Sequence, residues 1–61
     1  MIALLTDFGP GSHYLGQLRG VLAGLTVVDL CHDVPLGDVK AAAYVLWTSW
    51  RYFPEGTVFL V

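Results

Sequence analysis

The sequence predicts an α/β fold in the order strand, helix, strand, helix, strand, with the strands parallel. Three observations carry this. Ile2 to Thr6 is a continuous apolar run rather than an alternating one, which suits a strand buried on both faces. Two segments with helical spacing separate it from two further β-branched runs. Connections of that length favour parallel neighbours joined by right-handed crossovers.

Each element can be justified in order. Asp7 to His13 is a loop punctuated by Gly9, Pro10 and Gly11. Tyr14 to Gly24 carries Leu15, Leu18 and Leu22 at helical spacing, with Val21 and Leu25 beside them. Ser12 is its expected N-cap and Gly24 its expected stop. Thr26 to Leu30 is the second strand, and Cys31 to Gly37 is a loop containing Pro35. Asp38 opens the second helix, as a cap or as a first-turn acid at the positive helix end. That helix runs to about Tyr52, with Val39, Ala43, Leu46, Trp50 and Phe53 as its expected apolar stripe. Pro54-Glu55-Gly56 is a turn, and Thr57 to Val61 is the third strand. The order is that of half a doubly wound, Rossmann-like sheet with helices on its faces.

Composition limits what such a chain does alone. A chain of 61 residues holds one domain at most, and folding at this size buries only about 60% of its surface. Hydrophobic residues make up 56% and charged residues 13%, against roughly 25% charged in an ordinary domain. A small domain should be more polar than average, and this one is less so. The expectation is a fragment of a larger protein, or a chain that needs other copies or segments to cover its surface. Cys31 is the only cysteine, so no internal disulfide forms, and one unpaired thiol fits a cytoplasmic protein. The net charge of −2 with three basic residues leaves no footprint for nucleic acid. No apolar run reaches the roughly 20 residues of a membrane helix, and the N-terminus lacks a basic leader.

Three constellations bear chemistry. The first is Asp7-Phe8-Gly9-Pro10-Gly11-Ser12-His13-Tyr14, a glycine-bearing loop between strand and helix. It fits a dinucleotide turn poorly. The third glycine is missing at its offset, Pro10 removes an N–H donor, and Asp7 would repel a pyrophosphate. A carboxylate there suits ribose hydroxyls or a cationic ligand; equally, Asp7 caps the loop or the helix after it. The second is Asp29-Leu30-Cys31-His32-Asp33, which suggests either acid–base work or loop-capping groups beside Pro35. Alternation would aim Asp29 and Cys31 to one side and His32 to the other. Adjacent His, Cys and Asp make a poor metal set, and no metal is expected. The third is Tyr44, Trp47, Trp50, Tyr52 and Phe53, either a stacking surface or, at helical spacing, core or interface.

The ordered stretches Ile2-Ala3-Leu4-Leu5-Thr6-Asp7-Phe8-Gly9, Tyr14-Leu15-Gly16-Gln17 with Gly20-Val21, Val28-Asp29-Leu30-Cys31-His32-Asp33-Val34-Pro35, Asp38-Val39 and Arg51-Tyr52-Phe53-Pro54-Glu55-Gly56-Thr57-Val58 resemble one family. It is that of the S-adenosylmethionine hydroxide adenosyltransferases, relatives of the fluorinating and chlorinating enzymes that use the same substrate. The ordered stretches cover essentially the whole chain. The resemblance implies that residues 1–61 form the N-terminal part of an α/β substrate-binding domain, the rest of which, with a C-terminal β domain, lies outside the chain. It implies that Asp7 binds the ribose hydroxyls and that Phe8, Gly9, Ser12, His13 and Tyr14 line the same pocket. Serine replaces the family's usual acid at position 12, and histidine its usual proline at 13. The halogenating enzymes carry a tryptophan in the second loop, near Gly37; glycine there implies the water-using branch, which releases adenosine and methionine. The family's catalytic Asp, Arg and His are implied to lie beyond the third strand. S-adenosylmethionine is then a substrate, with no cofactor, and the full-length protein a homotrimer or higher homo-oligomer whose pocket is shared between subunits. A halogenase, or a non-catalytic nucleoside-binding or assembly module, is the alternative.

Overall fold

The computed structural model describes residues 1–61 and contains β1 (Ile2–Leu5), α1 (His13–Val21), β2 (Val27–Cys31), α2 (Val39–Ser49), a 3-10 turn (Trp50–Tyr52) and β3 (Val58–Leu60). The strands form one parallel sheet in the order β2-β1-β3. Ile2 stands beside Val27 on one side and Val58 on the other. β1 is therefore the central strand, which explains its unbroken apolar run. Ala3, Leu4 and Leu5 are almost wholly enclosed, and with Leu15 and Val34 they form the core. The register with β2 slips between Leu4 and Leu5, where a bulge leaves Leu5 opposite Cys31.

Both predicted helix caps are present. Ser12 Oγ accepts the N–H of Tyr14 at 3.2 Å, and Asp38 Oδ1 accepts that of Ala41 at 3.0 Å. The helices are shorter than their periodicity suggested. α1 ends at Val21 with Leu22 as C-cap; Gly24, at φ = +89°, shapes the turn beyond rather than stopping the helix. Leu15 and Leu18 turn inward from α1, with Leu22 at its cap, while Val21 is 82% exposed.

The second helix differs more from expectation. Its inward face is Ala41, Ala42, Val45, Leu46 and Ser49, while Val39, Ala43 and Trp50 of the expected stripe are exposed. The helix is apolar almost all round, so the pattern itself does not fix which face is buried. Phe53 is half-buried and meets Phe59 edge-on, with ring centroids 5.3 Å apart. Tyr44, Trp47, Trp50 and Tyr52 are exposed. No helix is long and apolar enough to cross a membrane.

Candidate functional site

In a parallel sheet the loops after the strands gather at one end. The loop after β1 (residues 6–12) and the loop after β2 (residues 32–38) lie side by side because β1 and β2 are paired. Backbone hydrogen bonds zip them together: Thr6 N–H donates to Cys31 C=O, and Gly9 N–H to His32 C=O, both at 2.8 Å. The strand order β2-β1-β3 makes the gap between β1 and β3 a topological switch point. The chain leaves β1 towards one neighbour and returns on the other side. Ligands of open α/β sheets bind outside the strand ends at such a point.

Two clefts flank this point. One, of about 290 Å³, is bounded by Asp7 and Phe8 of the first loop, Val34 and Gly37 of the second, Val39 and Ala42 of α2, and Val61. The other, of about 370 Å³, lies against α1 between Phe8, Tyr14, Gln17, Leu18 and Leu60. Thr6, Phe8 and Val61 border both. The first cleft is apolar apart from Thr6 and two carboxylates, Asp7 and Asp38, and no basic side chain lines it.

Asp7 caps neither its own loop nor the helix after it; Ser12 takes the helix cap. Instead Asp7 reaches across to the second loop, where its Oδ2 accepts the backbone N–H of Gly37 at 2.9 Å. Its Oδ1 takes no hydrogen bond from the protein and remains available to a ligand. Gly37 has φ = +72°, a left-handed conformation suited to glycine, within a turn closed by Asp38 N–H to Pro35 C=O.

The other residues singled out from the sequence divide. Phe8 is half exposed, at the mouth of both clefts, and Tyr14 stands beside it with ring centroids 6.0 Å apart. Gly9, Ser12 and His13 line neither cleft. Gly9 bonds to the second loop, Ser12 is occupied as a cap, and His13 is exposed with its ring against Tyr14. Asp38, marked in the sequence only as a helix cap, and Val39 and Ala42 of α2 line the first cleft as well.

The second constellation is corrected. His32 and Asp29 do not point apart: His32 Nε2 and Asp29 Oδ1 are 2.8 Å apart. β2 ends at Cys31, so strand alternation no longer governs position 32. His32 Nδ1 lies 2.8 Å from Thr6 Oγ1, and Arg19 donates to Asp29 Oδ2. The Arg19 guanidinium, then His32, holds the Asp29 carboxyl below its usual range. The Cys31 thiol donates to Asp33 Oδ1 at 2.9 Å, and that hydrogen bond pushes the thiol pKa up. A group of three or more metal-ligating side chains is not assembled anywhere in the chain.

Comparison with known proteins places the chain in a family. The family profile of the SAM hydroxide adenosyltransferase N-terminal domain matches residues 2–61. The chain belongs to this family. It is 41% identical over 63 aligned residues to the (R)-S-adenosyl-L-methionine hydrolase of Thermus thermophilus, covering 97% of this chain and 25% of that protein. It is 35% identical to the fluorinase of Actinopolyspora mzabensis, covering 97% of this chain and 21% of that enzyme. The crystal structure of a conserved hypothetical protein from Thermus thermophilus superposes with a TM-score of 0.90 at 41% identity, over 95% of this chain and 26% of the other. The chain thus has the α/β fold of its family, and it spans about a quarter of the length of the relatives it matches.

Proposed function

We propose that the protein carrying this chain is an S-adenosylmethionine hydrolase, and that the cleft between Asp7 and α2 receives the adenosyl ribose. The observation that carries this is Asp7 itself: one carboxylate oxygen is fixed by Gly37 N–H and the other is free at the strand end. A carboxylate held this way accepts from vicinal hydroxyls. The absence of any basic lining group disfavours phosphate, and two carboxylates favour a cation such as a sulfonium. The hydrolase relatives at 31–41% identity support the same substrate, and glycine at position 37, where the halogenating enzymes it resembles carry tryptophan, supports water as the nucleophile.

In the proposed reaction a water oxygen attacks the 5′ carbon. The new O–C bond forms as the C–S bond breaks, the bonding pair leaves on sulfur as the neutral thioether of methionine, and the water's proton is released to solvent. A sulfonium needs no protonation to leave, so this chain's part is to orient and to exclude solvent. Val34, Val39, Ala42 and Val61 supply an apolar wall for that purpose. The groups that hold the water come, on this reading, from outside residues 1–61.

The test is to incubate the full-length protein with S-adenosylmethionine in ¹⁸O-water, separately for the two sulfonium epimers, with and without fluoride and chloride. Adenosine labelled at the 5′ oxygen, with unlabelled methionine, is the expected result, and the (R) epimer is the expected substrate because the hydrolase relatives are named for it. A 5′-halogenated nucleoside would move the protein to the halogenating branch, and no turnover with either epimer would defeat the enzymatic reading.

A further inference from the structure

His32 is the one polar side chain among the six buried residues, and both its ring nitrogens are engaged. The Asp29 carboxylate only accepts, so Nε2 carries the proton, and in the neutral ring Nδ1 accepts the Thr6 hydroxyl. Thr6 Oγ1 in turn accepts the N–H of Phe8 at 3.3 Å. The backbone of His32 adds a second hold, its carbonyl accepting Gly9 N–H. One buried residue therefore grips the first loop at Thr6 and at Gly9, and Asp7 and Phe8 lie between the two grips. On the far side the chain of bonds runs through Asp29 to Arg19 on α1, and neither lines a cleft.

We propose that His32 is a positioning residue for the substrate loop, set by a relay from Arg19 and Asp29 through its imidazole to Thr6. The relay fixes where Asp7 and Phe8 stand before any ligand arrives. This rests on the substrate-binding reading of Asp7. The physical case is that loops are the least rigid part of a fold, while a site must hold its groups to about half an ångström. A buried imidazole bonded at both ends has one permitted position. A charged pair on the far side of the strand sets its tautomer without touching the ligand.

The test uses the full-length protein, with Asp29→Ala as the main variant. It deprives Nε2–H of its acceptor at an exposed side chain remote from both clefts. The expected result is a loss of S-adenosylmethionine affinity on the order of tenfold by calorimetry, with faster amide hydrogen exchange across residues 6–12 in the free protein. Asp29→Asn, whose side-chain oxygen still accepts from Nε2–H, should restore both to near the parent values. Arg19→Ala should move both in the same direction by less. If Asp29→Ala lowers only the melting temperature, leaving affinity and loop exchange as in the parent, the relay is a fold tie alone and the proposal is wrong. A parent protein that binds no S-adenosylmethionine defeats the functional reading, and this inference with it; a parent that binds while all variants match it defeats the inference alone.

Discussion

Gly37 is the position at which the site should be most easily disturbed without removing a ligand contact. Its φ of +72° costs most side chains other than glycine and asparagine about 1–2 kcal/mol. A Cβ there would meet nothing within 4 Å, so the cost is in the backbone and not in packing. The same residue supplies the N–H that fixes Asp7 Oδ2, and a hydrogen bond to a charged group contributes roughly 1.5–3 kcal/mol when shielded. The bond lies at an exposed cleft, so the lower end of that range applies. Gly37→Ala therefore has two routes. It keeps the turn and loses about 1–2 kcal/mol of stability, or it relaxes φ to negative values and swings the N–H away from Asp7. The chain takes the cheaper route, so stability and affinity should trade against each other. Urea unfolding and S-adenosylmethionine titration of the full-length protein measure the two losses side by side. Gly37→Asn should suffer less on both counts, because asparagine tolerates the left-handed region. If alanine equals glycine in both stability and affinity, the positive φ is not required and the link from turn to Asp7 is mistaken.

Two titrating groups give further tests. The Asp29 pKa is depressed by Arg19 and then His32, so its contribution to stability is present above the unfolded carboxylate range and is lost as pH falls through the lower folded value. Asp29→Asn should therefore flatten the acid limb of the stability curve below about pH 4, read by thermal melting at stepped pH. Cys31 is shifted the other way by its hydrogen bond to Asp33. Its alkylation by iodoacetamide at about pH 8, just below the ordinary thiol range, should be slower than that of a free thiol, and Asp33→Asn should speed it; equal rates in the two proteins would contradict the bond.

The sequence made the fold legible where one physical cause acted alone. The unbroken run Ile2–Leu5 reads as a strand buried on both faces, and β1 is the central strand with Ala3, Leu4 and Leu5 enclosed. Ser12 and Asp38 read as caps because capping is local. Legibility failed where causes competed or contacts were distant. In α2 nearly every face is apolar, so the pattern did not mark the inward face of Ala41, Ala42, Val45, Leu46 and Ser49. In the site, Asp7 was visible as a strand-end carboxylate, but its donor lies 30 residues away in sequence. His32 was visible only as one member of a polar cluster, because its partner Thr6 sits on another strand end. Tyr44, Trp47 and Trp50 are exposed, so among the readings of these aromatics the core one does not hold within residues 1–61.

The tether on Asp7 also bears on how ribose would be read. With Oδ2 accepting from Gly37, the carboxylate offers Oδ1 and one remaining lone pair on Oδ2, enough for two hydroxyls only if both approach from the cleft side. Each hydroxyl would then make a charge-assisted bond worth about 1.5–3 kcal/mol. Removing either should weaken binding by roughly tenfold to a hundredfold, at about 1.4 kcal/mol per tenfold. The decisive comparison is a double cycle in the full-length protein: S-adenosylmethionine and its 2′-deoxy and 3′-deoxy analogues, each against the parent and Asp7→Ala. If Asp7 is the ribose anchor, the parent discriminates against both analogues and Asp7→Ala against neither. If Asp7→Ala discriminates as sharply as the parent, the hydroxyls are read by some other group, and Asp7 serves only to join the two loops.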